Sequence, residues 1–266
     1  MPRHLAGDME GERLGRDATV VVPTYNELGN VQRLLPALLA LACEGWTVRV
    51  CVVDDDSPDG TGAWVEALAA REPRVAVIRR VGVRGLGTAY VAGMRSALAA
   101  GADAVLTMDA DFSHHPRYVP DLLAGLAGAD LVIGSRYVPG GAVLYPWHRR
   151  ALSRGANAVA HRLLGLGARD ATAGFRAYRR EVLESVPLGS IFSNGYSFLL
   201  EMLFLVQARG WRVAESPITF ADREVGQSKI SSREIGRALY TCARLAARRW
   251  RGGRRERATV ESVVGG

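Results

Sequence analysis

A chain of 266 residues, 48% hydrophobic and 23% charged, can bury a sizeable core as one large domain or two small ones. No apolar run approaches the ~18 residues of a transmembrane helix. Cys43, Cys51 and Cys242 are few and unpatterned, which excludes a disulfide framework or a zinc site and suggests a reducing compartment.

In chain order, residues 1–17 are polar and glycine-rich and read as a frayed leader without a signal-peptide apolar core. Residues 19–22 read as a strand and 31–41 as a helix. A strand at 48–53 precedes a helix over 63–70, and a strand at 75–78 precedes a helix over 86–100. The apolar run 104–108 is a buried strand, too short for a helix of its own. A helix near 118–126, opened by Pro116, leads to a strand at 131–133. This alternation predicts an α/β fold, a Rossmann-like, mostly parallel sheet with helices on both faces. Beyond Gly141 the pattern loosens. Helices are expected over 149–164 and 197–208, irregular chain over 172–178, and extended chain over 213–220 with a break at Pro217. Residues 231–250 form a helix with basic and apolar faces, and 251–266 a disordered tail.

The net charge of +7 is unevenly placed, because residues 229–257 carry ten basic and two acidic side chains. Such an end suits an anionic membrane surface, nucleic acid or plain solvation. Lys229 is the only lysine among 34 basic residues, which marks a place where a compact ammonium is wanted.

Chemistry-bearing residues gather at strand ends, where open α/β sheets bind ligands. Asp109-Ala110-Asp111 closes the fourth strand. Paired carboxylates there suit a hard divalent cation that shares itself with substrate phosphates, although two aspartates in a turn are also common. Pro23-Thr24-Tyr25-Asn26-Glu27 ends the first strand and Val53-Asp54-Asp55-Asp56-Ser57-Pro58-Asp59-Gly60-Thr61 the second. A tyrosine face and aspartate acceptors could hold a nucleoside; turn and cap chemistry is the plainer alternative for each motif alone. No G-x-G-x-x-G, G-K-[ST] or G-x-S-x-G motif is present, which weakens dehydrogenase, P-loop and serine-hydrolase readings.

These three ordered motifs, together with Gly134-Ser135-Arg136-Tyr137 as a fourth and a later Gly226-Gln227-Ser228-Lys229, resemble family 2 glycosyltransferases, in wording the polyprenol-phosphate (dolichol-phosphate) mannosyltransferases. The resemblance covers roughly residues 18–250. It implies a GT-A domain with a nucleotide half at about 18–135 and an acceptor half at about 136–230. It implies inverting transfer of mannose from GDP-mannose to a polyprenyl phosphate, with UDP-glucose as the rival donor. Pro23, Tyr25, Glu27, Val53 and Asp55 would line the guanosine site. Asp109, Ala110 and Asp111 would meet the diphosphate, the aspartates through magnesium or manganese, with Ser113 in the place of a third ligand and acting through water. Arg136, Arg149 and Ser153 would bind the acceptor phosphate, and Arg223 and Lys229 would reach phosphates from a closing loop. Asp170 and Gly174-Phe175-Arg176 match a further family stretch with a structural role. A lipid phosphate is already an anionic nucleophile, so no general base is needed, and His114 and His115 take supporting roles. The expected place is cytoplasmic and peripheral at the membrane, through the 231–250 helix or a membrane-embedded protein partner. A nucleic-acid-binding protein is the rival from another class, and it leaves Asp109 and Asp111 idle.

Overall fold

The computed structural model describes residues 15–144, 147–195, 197–221 and 236–248, with the side chains of 147–152 and 156 outside that description. The leader up to residue 14, the loop carrying Arg223 and Lys229, the Arg149 side chain and the tail beyond 248 therefore lie outside the described residues.

Among the described residues nine strands form, β1 (Arg16–Thr24), β2 (Trp46–Asp54), β3 (Val75–Arg79), β4 (Ala104–Thr107), β5 (Leu131–Ser135), β6 (Ala142–Val143), β7 (Arg176–Arg179), β8 (Val213–Pro217) and β9 (Thr219–Phe220). Between them run α1 (Leu28–Leu39), α2 (Thr61–Ala69), α3 (Leu86–Ala99), α4 (Val119–Gly125), α5 (Trp147–Leu164), α6 (Arg180–Ser185) and α7 (Ser197–Gln207). A further helix, α8, covers 236–248. Seven strands make one sheet in the order β3-β2-β1-β4-β7-β5-β8, and β6 pairs with β9 apart from it.

Burial on both faces explains why the strands are near-continuous Val/Ile/Leu. Successive side chains alternate between two cores. Val20, Val22, Val50, Val52 and Leu106 point toward α1 and α4. Val21, Val53 and Val105 point toward α3 and α7. At the centre of the second core α3 approaches very closely. A Cβ on Gly93 would lie 2.2 Å from a Val21 methyl, so only glycine allows that helix-sheet contact.

The expected irregular stretch 172–178 is corrected. Its second half is β7, which runs antiparallel between β4 and β5. The strand is short and begins with a charged residue, so it carries no apolar signature. Arg176 is nonetheless fully buried. Its guanidinium donates to the carbonyls of Ala171 (2.7 Å), Ala173 (2.8 Å) and Leu199 (2.8 Å), which satisfies a group that is otherwise costly to bury. β7 brings the later part of the chain into the middle of the sheet built by the first part. Every other strand of the sheet points the same way, so the carboxyl ends of β1, β2, β4 and β5 share one edge.

Candidate functional site

At this edge the backbone departs from ordinary geometry in a consistent place. Asn26 (φ 59°), Asp56 (φ 58°) and Phe112 (φ 59°) are the non-glycine residues with positive φ among the described residues. They lie in the loops after β1, β2 and β4. Asparagine and aspartate tolerate this region, whereas a bulky residue such as Phe112 rarely enters it. Strain of about 1–3 kcal/mol persists only where the surroundings impose it. Here Ser113 imposes it, since both its backbone N–H (3.1 Å) and its hydroxyl (2.6 Å) donate to Asp111 Oδ1. The Arg33 guanidinium lies 4.8 Å from the centre of the Phe112 ring.

The two signature carboxylates differ in setting. Asp111 is buried and Asp109 half-buried. The Tyr90 hydroxyl donates to Asp109 Oδ1 at 2.9 Å. The Asp109 backbone N–H donates to His114 Nδ1 at 3.2 Å, which puts the proton of a neutral imidazole on Nε2. His114 is stacked on Phe175 at 5.3 Å and meets Phe220 edge-on at 5.4 Å. Burial lowers its pKa below the ordinary value, and the nearby carboxylates of Asp109 and Asp111 only partly offset this. His114 is thus a buried, neutral imidazole that braces the Asp109 main chain.

Toward β1 and β2, Asp54 is wholly buried. It accepts from the hydroxyls of Thr24 (2.9 Å) and Ser57 (2.5 Å) and from the Ser57 N–H (3.0 Å). Asp59 accepts from the N–H of Leu28 and of Thr61, tying the two loops together. Asp55 is bound by Arg80 (Nε at 2.7 Å) and by the Gly85 N–H (3.0 Å). It thereby anchors the segment that follows β3, from which Arg84 reaches within 4.1 Å of the Tyr25 ring centre. Pro23 and Val53 are direct partners in the β1-β2 ladder. The side chains of Val53 and Ala110 belong to the cores, so these two residues can offer only backbone to a ligand. Glu27 accepts from the Asn30 amide at 2.6 Å.

On the β5 side, Asp170 and Arg136 form a two-pronged ion pair, Nε to Oδ2 at 2.7 Å and Nη2 to Oδ1 at 2.7 Å. Arg136 also donates to Thr172 Oγ1 at 2.8 Å. Asp170 is fully buried. Burial raises its pKa, but the Arg136 bonds and charge outweigh this, and the net shift is downward. Glu215 on β8 accepts the N–H groups of Arg169 (2.7 Å) and Asp170 (2.9 Å), which fixes the loop. Ser153 joins the same network, as the Tyr137 hydroxyl donates to its Oγ at 2.8 Å. Asn157, one turn later on α5, donates to the Ser153 carbonyl and to Thr172. Arg136 and Ser153 are thus brought together, along with Tyr137, Asn157, Asp170 and Thr172. Sequence reasoning gave Asp170 only structure and missed the other three. The Gly-Ser-Arg-Tyr run at the β5 end was the available signal for Tyr137.

No three His, Cys, Asp or Glu side chains converge as a metal cluster among the described residues. The donors at Asp109 and Asp111 are hard oxygens. They suit magnesium or manganese, which one or two carboxylates hold while substrate phosphates complete the shell. They do not suit a closed nitrogen-and-sulfur zinc site. Ser113 spends its hydroxyl proton on Asp111 and so orients that carboxylate.

A mostly parallel sheet with one reversed strand, ending in Asp-x-Asp on a central strand, defines the GT-A class of glycosyltransferase fold. The model of the glycosyl transferase family 2 domain matches residues 19–186, and the chain belongs to that family. It is 47% identical over 227 residues to a polyprenol monophosphomannose synthase of Mycolicibacterium smegmatis, covering 84% of each chain. It is 44% identical over 234 residues to an undecaprenyl-phosphate mannosyltransferase of Micrococcus luteus, covering 87% of this chain and 95% of the relative. A dolichol-phosphate mannosyltransferase of Pyrococcus furiosus is 37% identical over 251 residues, 93% of this chain and 68% of the relative. Among solved structures, glucosyl-3-phosphoglycerate synthase of Mycobacterium tuberculosis with manganese, UDP and phosphoglyceric acid superposes with a TM-score of 0.60. It is 25% identical, with 86% of this chain and 79% of that one covered.

Proposed function

We propose that this protein transfers mannose from GDP-mannose to a polyprenyl phosphate, giving a polyprenyl-phosphate mannose with inversion at the anomeric carbon. The observation that carries this reading is the identity of 44–47% to two mannosyltransferases of that acceptor class across most of both chains, on a fold whose Asp-x-Asp edge is intact.

In the reaction, an oxygen of the acceptor phosphate attacks the anomeric carbon while the bond from that carbon to the donor diphosphate breaks, and GDP leaves. Bound magnesium or manganese would neutralise charge on the diphosphate. Asp109 and Asp111 would hold it, Ser113 keeping Asp111 in place. Tyr25, Glu27, Asp55 and the backbone of Pro23, Val53 and Ala110 would receive the guanosine and diphosphate. Arg136, Arg149 and Ser153 would receive the acceptor phosphate.

Two anions must approach each other, so charge neutralisation and orientation do most of the work. Arg136 is already neutralised by Asp170, so it contributes a fixed hydrogen-bonding direction more than net charge. The positive charge is then left to Arg149 on α5 and to Arg223 and Lys229. The nucleophile arrives ionised, which suits a site whose histidine is buried, neutral and hydrogen-bonded to backbone.

Purified protein given magnesium, a short polyprenyl phosphate and radiolabelled sugar nucleotides tests the proposal. Label should enter the organic phase from GDP-mannose and not from UDP-glucose. Lipid labelling from UDP-glucose alone would overturn the donor assignment, and no lipid labelling from any donor would overturn the transfer.

A further inference from the structure

We propose that Tyr90 is a positioning residue for Asp109, and through it for the cation-diphosphate unit. The inference rests on Asp109 and Asp111 being the cation-holding pair.

β4 ends at Thr107, two residues before Asp109. The sheet therefore does not hold the Asp109 side chain, and a carboxylate rotates over a broad range about its last torsion. One contact holds the Asp109 main chain and a second removes the freedom of its carboxylate. His114 takes the backbone N–H from below. The Tyr90 hydroxyl, on α3, takes Oδ1 at 2.9 Å. Tyr90 is among the largest fully buried side chains of the molecule. A buried tyrosine hydroxyl must find a partner, and here it is aimed at a carboxylate of the signature motif.

The ring that carries this hydroxyl is itself braced. It stacks on Phe198 of α7, with centroids 5.8 Å apart and planes within 17°. Phe198 can come this close because α3 has glycine at position 87, where a Cβ would lie 3.1 Å from the Phe198 Cβ. Gly87, Phe198, Tyr90 and Asp109 thus form a continuous packed path from α7 to the motif. An oxygen already receiving one hydrogen bond is fixed in direction, leaving the carboxylate a defined face toward a cation.

Tyr90→Phe removes the hydroxyl and keeps the ring. Manganese uptake in the presence of GDP, read from the electron-spin signal of free manganese, should weaken about tenfold, the scale on which partners of ligating side chains act. Turnover should fall comparably, while acceptor KM stays within about twofold and the melting temperature is nearly unchanged. Phe198→Leu is the companion variant: it loosens the brace on the Tyr90 ring and keeps the hydroxyl, so it should lower the melting temperature and weaken manganese uptake clearly less than Tyr90→Phe does. Wild-type manganese affinity in Tyr90→Phe overturns the proposal. So does an equal loss of affinity in Phe198→Leu, which would make packing the cause. In the wild type, manganese with GDP should also perturb the ultraviolet difference spectrum of buried tyrosine, and an unchanged spectrum counts against the contact. If wild-type protein takes up no manganese with GDP, the cation-holding reading itself falls and the inference with it. A loss confined to Tyr90→Phe carries no such consequence.

Discussion

Single residues at the strand-end edge are held by opposing demands. Asp111 is buried and its Oδ1 accepts two bonds from Ser113, while the neighbouring Phe112 keeps an unfavourable φ of 59°. Asp111→Asn should reduce transfer at least 100-fold, because a neutral amide cannot replace a carboxylate in charge neutralisation. Ser113→Ala, which only frees the carboxylate, should cost about tenfold. Equal losses in the two variants would place Ser113 in direct contact with the cation. Asp170 makes a prediction of a different kind. Its folded pKa lies below the ordinary 3.8, so its ionised form is favoured by folding. That stability is present above the unfolded value and is lost as pH falls through the folded one. Asp170→Asn breaks a buried pair and should cost about 3 kcal/mol near neutral pH. In denaturant titrations the gap to wild type should narrow as pH drops below about 4; a gap independent of pH would mean that the ion pair is not its source. The signature aspartates were legible in the sequence because their place after an apolar strand is local. Tyr90, Asp170, Thr172 and Asn157 were not, since each acts across 15 to 36 positions of chain and no spacing rule reports such contacts.

Among the elements, the alternating strands and helices as far as β5 declared themselves through short apolar runs and turn residues. β7 did not. Its burial is achieved with an arginine whose donors are consumed by carbonyls, and periodicity cannot reveal a charge satisfied in that way. The extent of α5 was visible, but its role depends on β7, because the loop leading into that strand carries Asp170 and Thr172 back to Arg136. On α5, Ser153 faces this network through Tyr137. Arg149 stands one helical turn earlier, a spacing that puts the two on one side of the helix. Arg149→Ala is therefore expected to raise the KM for polyprenyl phosphate about tenfold or more, the worth of a charge-assisted phosphate contact. GDP affinity measured by calorimetry should remain within about twofold. A large loss of GDP binding with unchanged acceptor kinetics would move Arg149 to the donor side.

For the whole molecule, the question is how a protein proposed to act on a lipid phosphate reaches it. Among the described residues no helix is long and apolar enough to cross a membrane. The α8 helix has a buried side and an exposed side. Cys242 and Leu245 are buried in the core beside α7. Leu239 is 54% exposed and Tyr240 62% exposed. Tyr240 shares an exposed flank with Arg237, Arg244 and Arg248, while Leu239 is exposed on the opposite flank, and Arg244 lies over the Phe192 ring at 3.9 Å. An exposed face of arginines with a tyrosine among them suits an interfacial helix. Each arginine near an anionic surface contributes about 1 kcal/mol, so the three together would suffice for weak and reversible attachment. Changing Arg237, Arg244 and Arg248 together to glutamine leaves the buried side of the helix intact. Sedimentation with vesicles containing anionic lipid should fall by about tenfold or more, and wild-type binding should fall with added salt. Transfer to a short, water-soluble polyprenyl phosphate should persist in the triple variant. Vesicle binding that survives the triple change and high salt would instead assign attachment to another surface or to a membrane-embedded partner. Activity lost equally on soluble and vesicle-borne acceptor would show that α8 serves the site through the core and not through lipid.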